Sequence, residues 1–153
     1  MDSLFVDYLN RLEAMHDGVK EAIAGLSPEA LAWVPGPEMN SFSVLVTHLA
    51  GSERFWIGDM AGQDDSGRVR AEEFAVTGLT EVELVQRLDE SFAHSQQVLS
   101  NLLLTDLDKF HESPVHSESF RVSWSLMHNL EHVALHVGHM QIMRQMWDRK
   151  EQG

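Results

Sequence analysis

Between Ser119 and Trp147 the chain reads SFRVSWSLMHNLEHVALHVGHMQIMRQMW, and four of its nine histidines stand on this one stretch. It contains no proline, its one glycine is Gly138, and Leu, Met, Ala, Gln, Glu and Arg all favour helix. The stretch is predicted to be a single helix. At about 100° per residue, His128 falls at about −40°, His139 at about −20° and His136 at about +40° from His132, so the four imidazoles share one narrow face. Ser125 and Met143 continue that stripe. A helix of this length runs roughly 42 Å, with His128 and His136 roughly 12 Å apart along it, so no single ion can take all four. Residues four apart are roughly 6 Å from one another and can chelate together. By spacing, the pairs 128/132, 132/136 and 136/139 are all open.

With 153 residues, 43% of them hydrophobic, the chain is expected to form one globular domain over 1–153. No apolar run approaches the ~18 residues of a membrane span, and the opening MDSLFVDYLN has no basic segment leading into an apolar one. The expectation is a cytoplasmic protein with no membrane partner. There are no cysteines, so any metal must be held by imidazole and carboxylate. The formal charge of −13 argues against nucleic acid as partner, because binding it needs a positive patch that displaces counterions. Nine carboxylates against three arginines lie between Asp59 and Glu90, and the reading of this excess is a solvated acidic face.

Along the chain, Phe5, Leu9, Leu12, Val19 and Ile23 recur at helical spacing and predict a first helix from about Ser3 to Ala24. His16 lies within that stripe and is read as a hydrogen-bonded core residue. Gly25 closes the helix, and Ser27-Pro28-Glu29 opens a short helical turn with Ser as N-cap and Pro at the first position. A second helix is capped at Asn40 or Ser41 and runs through Met60, with His48 and Glu53 inside its wide apolar arc, where both need partners. Residues 61–78 read as a long surface loop. The capping box Thr80-Glu81-Val82-Glu83 opens a third helix, to about Leu104. His94 falls off its buried stripe and is expected to be solvent-exposed. Thr105 to Glu118 reads as a second long loop, with His111 and His116 as surface histidines.

Four long helices with two long connections, after the second and third, predict an all-α four-helix bundle. On the last helix Met127, Leu130, Ala134 and Val137 lie opposite the histidines. A homodimer contact through that side would cover them, with burial inside the monomer as the alternative.

His48 in THLAGSERFW, followed far downstream by His132 and His136 in EHVALHVGHMQIM, resembles the motif pair of the DinB-like (YfiT-like) family of metal-dependent enzymes. The resemblance covers the whole chain, including the Asn-Ser segment that opens the second helix. It implies that His48, His132 and His136 hold one divalent ion, and so selects the 132/136 pair from those that spacing leaves open. It also implies a thiol-dependent transferase or a hydrolase. The family often has Gln where this chain has His139, and His128 adds a further imidazole.

Three neutral histidines leave coordination positions open, as a catalytic ion requires. Imidazole ligation suits zinc and nickel equally. Glu53, Glu131, Asn129 and His139 are candidates for supporting or acid–base roles, those for catalysis being Glu53, Glu131 and His139. The function expected is a metal-dependent transferase or hydrolase acting on a small molecule, with a low-molecular-weight thiol as cosubstrate of the transferase. The alternative is a non-catalytic module that grips a metal or small ligand. Unperturbed imidazoles would lose their ion below about pH 6.

Overall fold

The computed structural model describes all residues, 1–153. The first helix, α1, spans Ser3–Ile23, and Phe5, Leu9, Leu12, Val19 and Ile23 are buried along it as the spacing predicts. The Asp2 carboxylate accepts from Leu4 N at 3.1 Å to cap its start, and Gly25, at φ +69°, turns the chain at its end. Helix α2 (Pro28–Ala32) is a single turn capped by Ser27, whose Oγ accepts from Ala30 N.

Helix α3 covers Phe42–Glu53, with the Ser41 hydroxyl accepting from Val44 N at 3.2 Å. It continues without a break into a π-helical segment, Arg54–Ala61. That wider turn keeps Phe55 through Ala61 buried in an unbroken run, which an ordinary amphipathic helix does not do. Nor does α3 have a solvent face. The side opposite its core is covered by residues of the stretch 61–78, which was expected to be a long surface loop and instead contains the short helix α4 (Arg70–Glu73).

Helix α5 spans Glu81–Asn101 and starts at the expected capping box: Thr80 Oγ1 accepts from Glu83 N, and Glu83 Oε2 accepts from Thr80 N at 2.8 Å. The second connection also carries structure. A 3-10 turn (Leu104–Asp108) leads into strand β1 (Phe110–Glu112), which pairs antiparallel with β2 (Ser119–Arg121), Phe110 opposite Arg121. The last helix, α6, therefore begins at Val122, three residues later than expected, because Ser119–Arg121 is taken up by the hairpin. The Arg121 guanidinium lies 4.7 Å from the Phe110 ring and Val122 N donates to Lys109 O, which fixes the switch from strand to helix. At the other end α6 runs on to Gln152, supported by the Arg144–Asp148 pair one turn apart.

The four long elements, α1, α3 with its π-helical extension, α5 and α6, form a four-helix bundle around one continuous core of 25 buried residues. No helix is long and apolar enough to cross a membrane. Of the strip expected to seat a second copy, Leu130 and Val137 are half-buried against the chain's own core, while Met127 and Ala134 are exposed. Val137 Cγ1 lies against Gly18 of α1, so α1 covers the C-terminal end of that strip from within the chain.

Candidate metal centre

His48 lies on the buried second turn of α3, and His132 and His136 stand one turn apart on α6, which packs against it. Three imidazoles from two helices converge on one point. His48 Nε2 is 3.1 Å from His132 Nε2, and His132 Nε2 is 3.2 Å from His136 Nε2. One nitrogen from each ring falls within 4.8 Å of the other two. His48 is buried and the pair on α6 is half-buried.

The protonation of this cluster follows from its surroundings. Burial lowers the pKa of His132 to about 3, helped by the neighbouring His136, His48 and His128 and by Arg68. Burial likewise lowers His136 to about 4, with His48 and His139 adding to it. Both rings are therefore neutral at pH 7. On the far side of His48, Nδ1 lies 2.8 Å from Glu73 Oε2. Burial raises the pKa of Glu73, but its bonds to Arg68 and His48 outweigh this and hold it below the usual carboxylate range. An ionised carboxylate can only accept, so His48 Nδ1 carries a hydrogen, and it is Nε2 that faces the other two rings. Convergent nitrogens on rings that resist protonation suit a divalent cation better than they suit one another.

The other candidates read from the sequence fall in different places. His139 is exposed, its ring 5.4 Å from that of His136. The two line one side of a cavity of about 420 Å³ whose other walls include Met39, Leu45, Ile142 and Met143. His128 stacks on Trp124, with ring centroids 4.8 Å apart and planes within 9°, and lies 6.1 Å from the His132 ring. Glu131 is exposed, and its carboxylate reaches only to 3.9 Å from His128 Nδ1. Glu53 is turned into the core, where it accepts from Ser95 Oγ at 2.7 Å and bonds His16 Nε2 at 2.7 Å. Asn129 is also buried and donates to Tyr8 Oη at 3.2 Å.

Two histidines differ from expectation. His94 is not free in solvent but bonded to Asp64 at 2.6 Å, with its side chain 19% exposed. His111 is half-buried and its Nδ1 donates to the Met60 carbonyl at 2.7 Å. His116 is exposed, as expected.

Sequence reasoning missed Glu73 and Arg68, which belong to the stretch read as a solvated acidic loop. The one available sign is Gly51, a glycine within a helix, where a bare backbone leaves room for a neighbour to approach.

Residues 7–149 match the family model of mycothiol-S-transferase. The chain belongs to this DinB-like family. No curated protein matches the sequence. Among solved structures, a conserved protein from Enterococcus faecalis superposes with a TM-score of 0.72 at 16% identity, over 90% of this chain and 93% of that one. YfiT from Bacillus subtilis, described as a probable metal-dependent hydrolase with an unusual four-helix bundle topology, superposes with a TM-score of 0.72 at 14% identity, over 97% of this chain and 90% of that one. At these identities the two structures establish the shared fold. Within the mycothiol-S-transferase family, then, this member has a DinB-like bundle with three histidines gathered at the junction of α3 and α6.

Proposed function

We propose that the chain is a divalent-metal-dependent transferase that joins a low-molecular-weight thiol to a small electrophile, with His48, His132 and His136 as the metal ligands. The observation that carries this reading is the convergence of three imidazole nitrogens beside a cavity, with His132 and His136 kept neutral by burial. Zinc and nickel suit such a ligand set. A divalent ion held there would supply Lewis acidity, which can acidify a thiol or a water or polarise a carbonyl.

The chain's own residues account for the rest. His136 forms part of the cavity wall, and Met39, Leu45, Ile142 and Met143 give the cavity an apolar side. His139 lies in the same wall and is placed to move a proton to or from a substrate held there. The thiol reading is supported by the family to which the chain belongs. Hydrolysis is the second reading, supported by the description of the YfiT neighbour.

Metal titration by calorimetry tests the ligand set. One ion per chain is expected, with tight binding lost in His48→Ala, His132→Ala and His136→Ala and kept in His94→Ala and His111→Ala. Stoichiometric binding in all three ligand variants would overturn the site. Loss of free thiol is then followed with metal-loaded protein, a set of low-molecular-weight thiols and a panel of small electrophiles. Metal-dependent consumption supports the transferase. Turnover of esters or amides without thiol supports the hydrolase, and metal binding with neither reaction would reduce the chain to a binding module.

A further inference from the structure

Of the three clustered imidazoles, only one has a partner for its outward nitrogen. His132 Nδ1 and His136 Nδ1 are buried with no hydrogen-bond partner. His48 Nδ1 meets Glu73. The need for orientation differs in the same way. His132 and His136 project from adjacent turns of one helix, which sets their spacing, whereas His48 reaches across from α3 and must present Nε2, not Nδ1, to the other two. A ring flip about its last side-chain bond would put a carbon, Cε1, where Nε2 now stands.

Glu73 is itself held on several sides. Arg68 Nε donates to its Oε1 at 2.5 Å and Arg68 Nη2 to its Oε2 at 2.9 Å, a two-pronged grip that fixes the plane of the carboxylate. Arg68 Nη2 also comes within 3.5 Å of His48 Nδ1. The next residue, Phe74, lies against the His48 ring with centroids 5.1 Å apart. Beneath the carboxylate is Gly51, just under one turn beyond His48 on α3. A Cβ added at Gly51 would collide with Glu73 Oε1 and would lie 3.4 Å from Arg68 Nε. The bare glycine is thus the seat on which the carboxylate rests.

We propose that Glu73, clamped by Arg68 and seated on Gly51, is the positioning residue of the metal centre: it locks His48 in the tautomer and ring orientation that turn Nε2 toward His132 and His136. The inference rests on the three-histidine reading of the site. It also makes the segment 62–79 part of the centre, although none of its residues belongs to the ligand set. Outer partners of this kind orient a ligand and raise its basicity, and their loss typically weakens metal binding by about 10–100-fold.

The test compares metal affinity, by competition with a chromogenic chelator, in the full chain carrying Glu73→Ala, Glu73→Gln, Gly51→Ala and the double change Gly51→Ala/Glu73→Ala. Glu73→Ala is expected to keep one ion per chain but to bind it about 10–100-fold more weakly. Glu73→Gln, which keeps an acceptor for Nδ1–H, should fall between it and the unaltered chain. Gly51→Ala removes no charged or hydrogen-bonding group, yet it should weaken binding to a similar degree by pushing the carboxylate away. The double change should be no weaker than Glu73→Ala alone, because both act through one contact.

The double change also separates positioning from folding. In the double change the added Cβ meets no carboxylate and alanine is the better helix former, so the metal-free melting temperature should lie at or above that of Glu73→Ala while the affinity stays low. Long-range proton–nitrogen spectra add a direct readout: His48 should show the Nδ1–H tautomer in the metal-free protein and lose that preference in Glu73→Ala. Unchanged affinity in both Glu73→Ala and Gly51→Ala, with the unaltered chain binding one ion, would overturn the positioning role and leave the three-histidine site standing. An unaltered chain that binds no ion, or a His48→Ala variant that binds normally, would overturn both.

Discussion

His16 and His48 are each bonded to one buried carboxylate, and the second ring nitrogen separates their roles. His48 Nε2 meets His132, whereas His16 Nδ1 is buried against nothing that can bond it. His16 and Glu53 therefore act as a core pair, with Ser95 completing the carboxylate. Replacing His16 with Leu would leave a buried Glu53 with one hydroxyl partner, at a cost of about 3–5 kcal/mol. Urea unfolding should show that loss while metal stoichiometry stays at one ion. A lost ion would instead place His16 in the metal site. The acid side follows from the two ligands on α6. Their folded pKa values, about 3 for His132 and about 4 for His136, lie below the ordinary 6.5, so between these limits the unfolded chain binds more protons. Their contribution to stability is complete above about 6.5 and is lost as the pH falls toward 4 and 3. The melting temperature of the metal-free protein should decline over that window. Metal release should likewise come closer to the about 4 of His136 than to 6.5, later than unperturbed imidazoles would give. Metal content measured after dialysis at stepped pH checks this, and a release midpoint near 6.5 would contradict it.

The segment 62–79 shows which elements a sequence can reveal and which it cannot. Thr80 with Glu83, Ser41 before α3 and the buried stripe of α1 were legible because caps and helical periodicity are local, written within one or two turns of chain. So was the convergence of His132 and His136 on one face. The register of His48 against them is a packing fact, and the family resemblance supplied it where spacing could not. Strands of three residues have no periodicity to read, and the hairpin of β1 and β2 is visible only once its halves meet. Glu73 was hidden by averaging: among nine carboxylates between Asp59 and Glu90 the run looks solvated, yet Asp59 and Glu73 are both buried. Asp59 anchors the start of the segment. Its carboxylate accepts from Ser66 N at 2.8 Å and from Ser66 Oγ at 2.6 Å. Asp59→Ala should free that turn, costing of order 1–3 kcal/mol, and bring faster limited proteolysis within 62–79 than in the unaltered chain. An unchanged cleavage rate would show that the Asp64–His94 and Arg68–Glu73 bonds hold the segment without it.

A chain with a formal charge of −13 repels its own copies, so any contact between two of them must be made on a face with few carboxylates. The strip first expected to serve is partly used up, because Leu130 and Val137 are half-buried against the chain's own core. Besides Met127 in that strip, the large apolar side chains that stay exposed on α6 are Trp124 at 41%, Leu135 at 56%, Ile142 at 58% and Met146 at 38%. They fall within an arc of about 40° on the histidine side of the helix. Glu131 is the carboxylate nearest that arc on α6. A homodimer is expected through this face, where association removes apolar surface from water without bringing many negative charges together. Light scattering at micromolar concentration should give twice the 17.3 kDa chain mass. Leu135→Glu combined with Ile142→Glu should return the mass to that of one chain, because it adds four carboxylates to a two-fold interface. Met127→Glu, about 80° around α6 from the middle of that arc, should disturb the dimer less than the double change. A single-chain mass for the unaltered protein would exclude the dimer, and dissociation by Met127→Glu alone would return the contact to the strip beside α1.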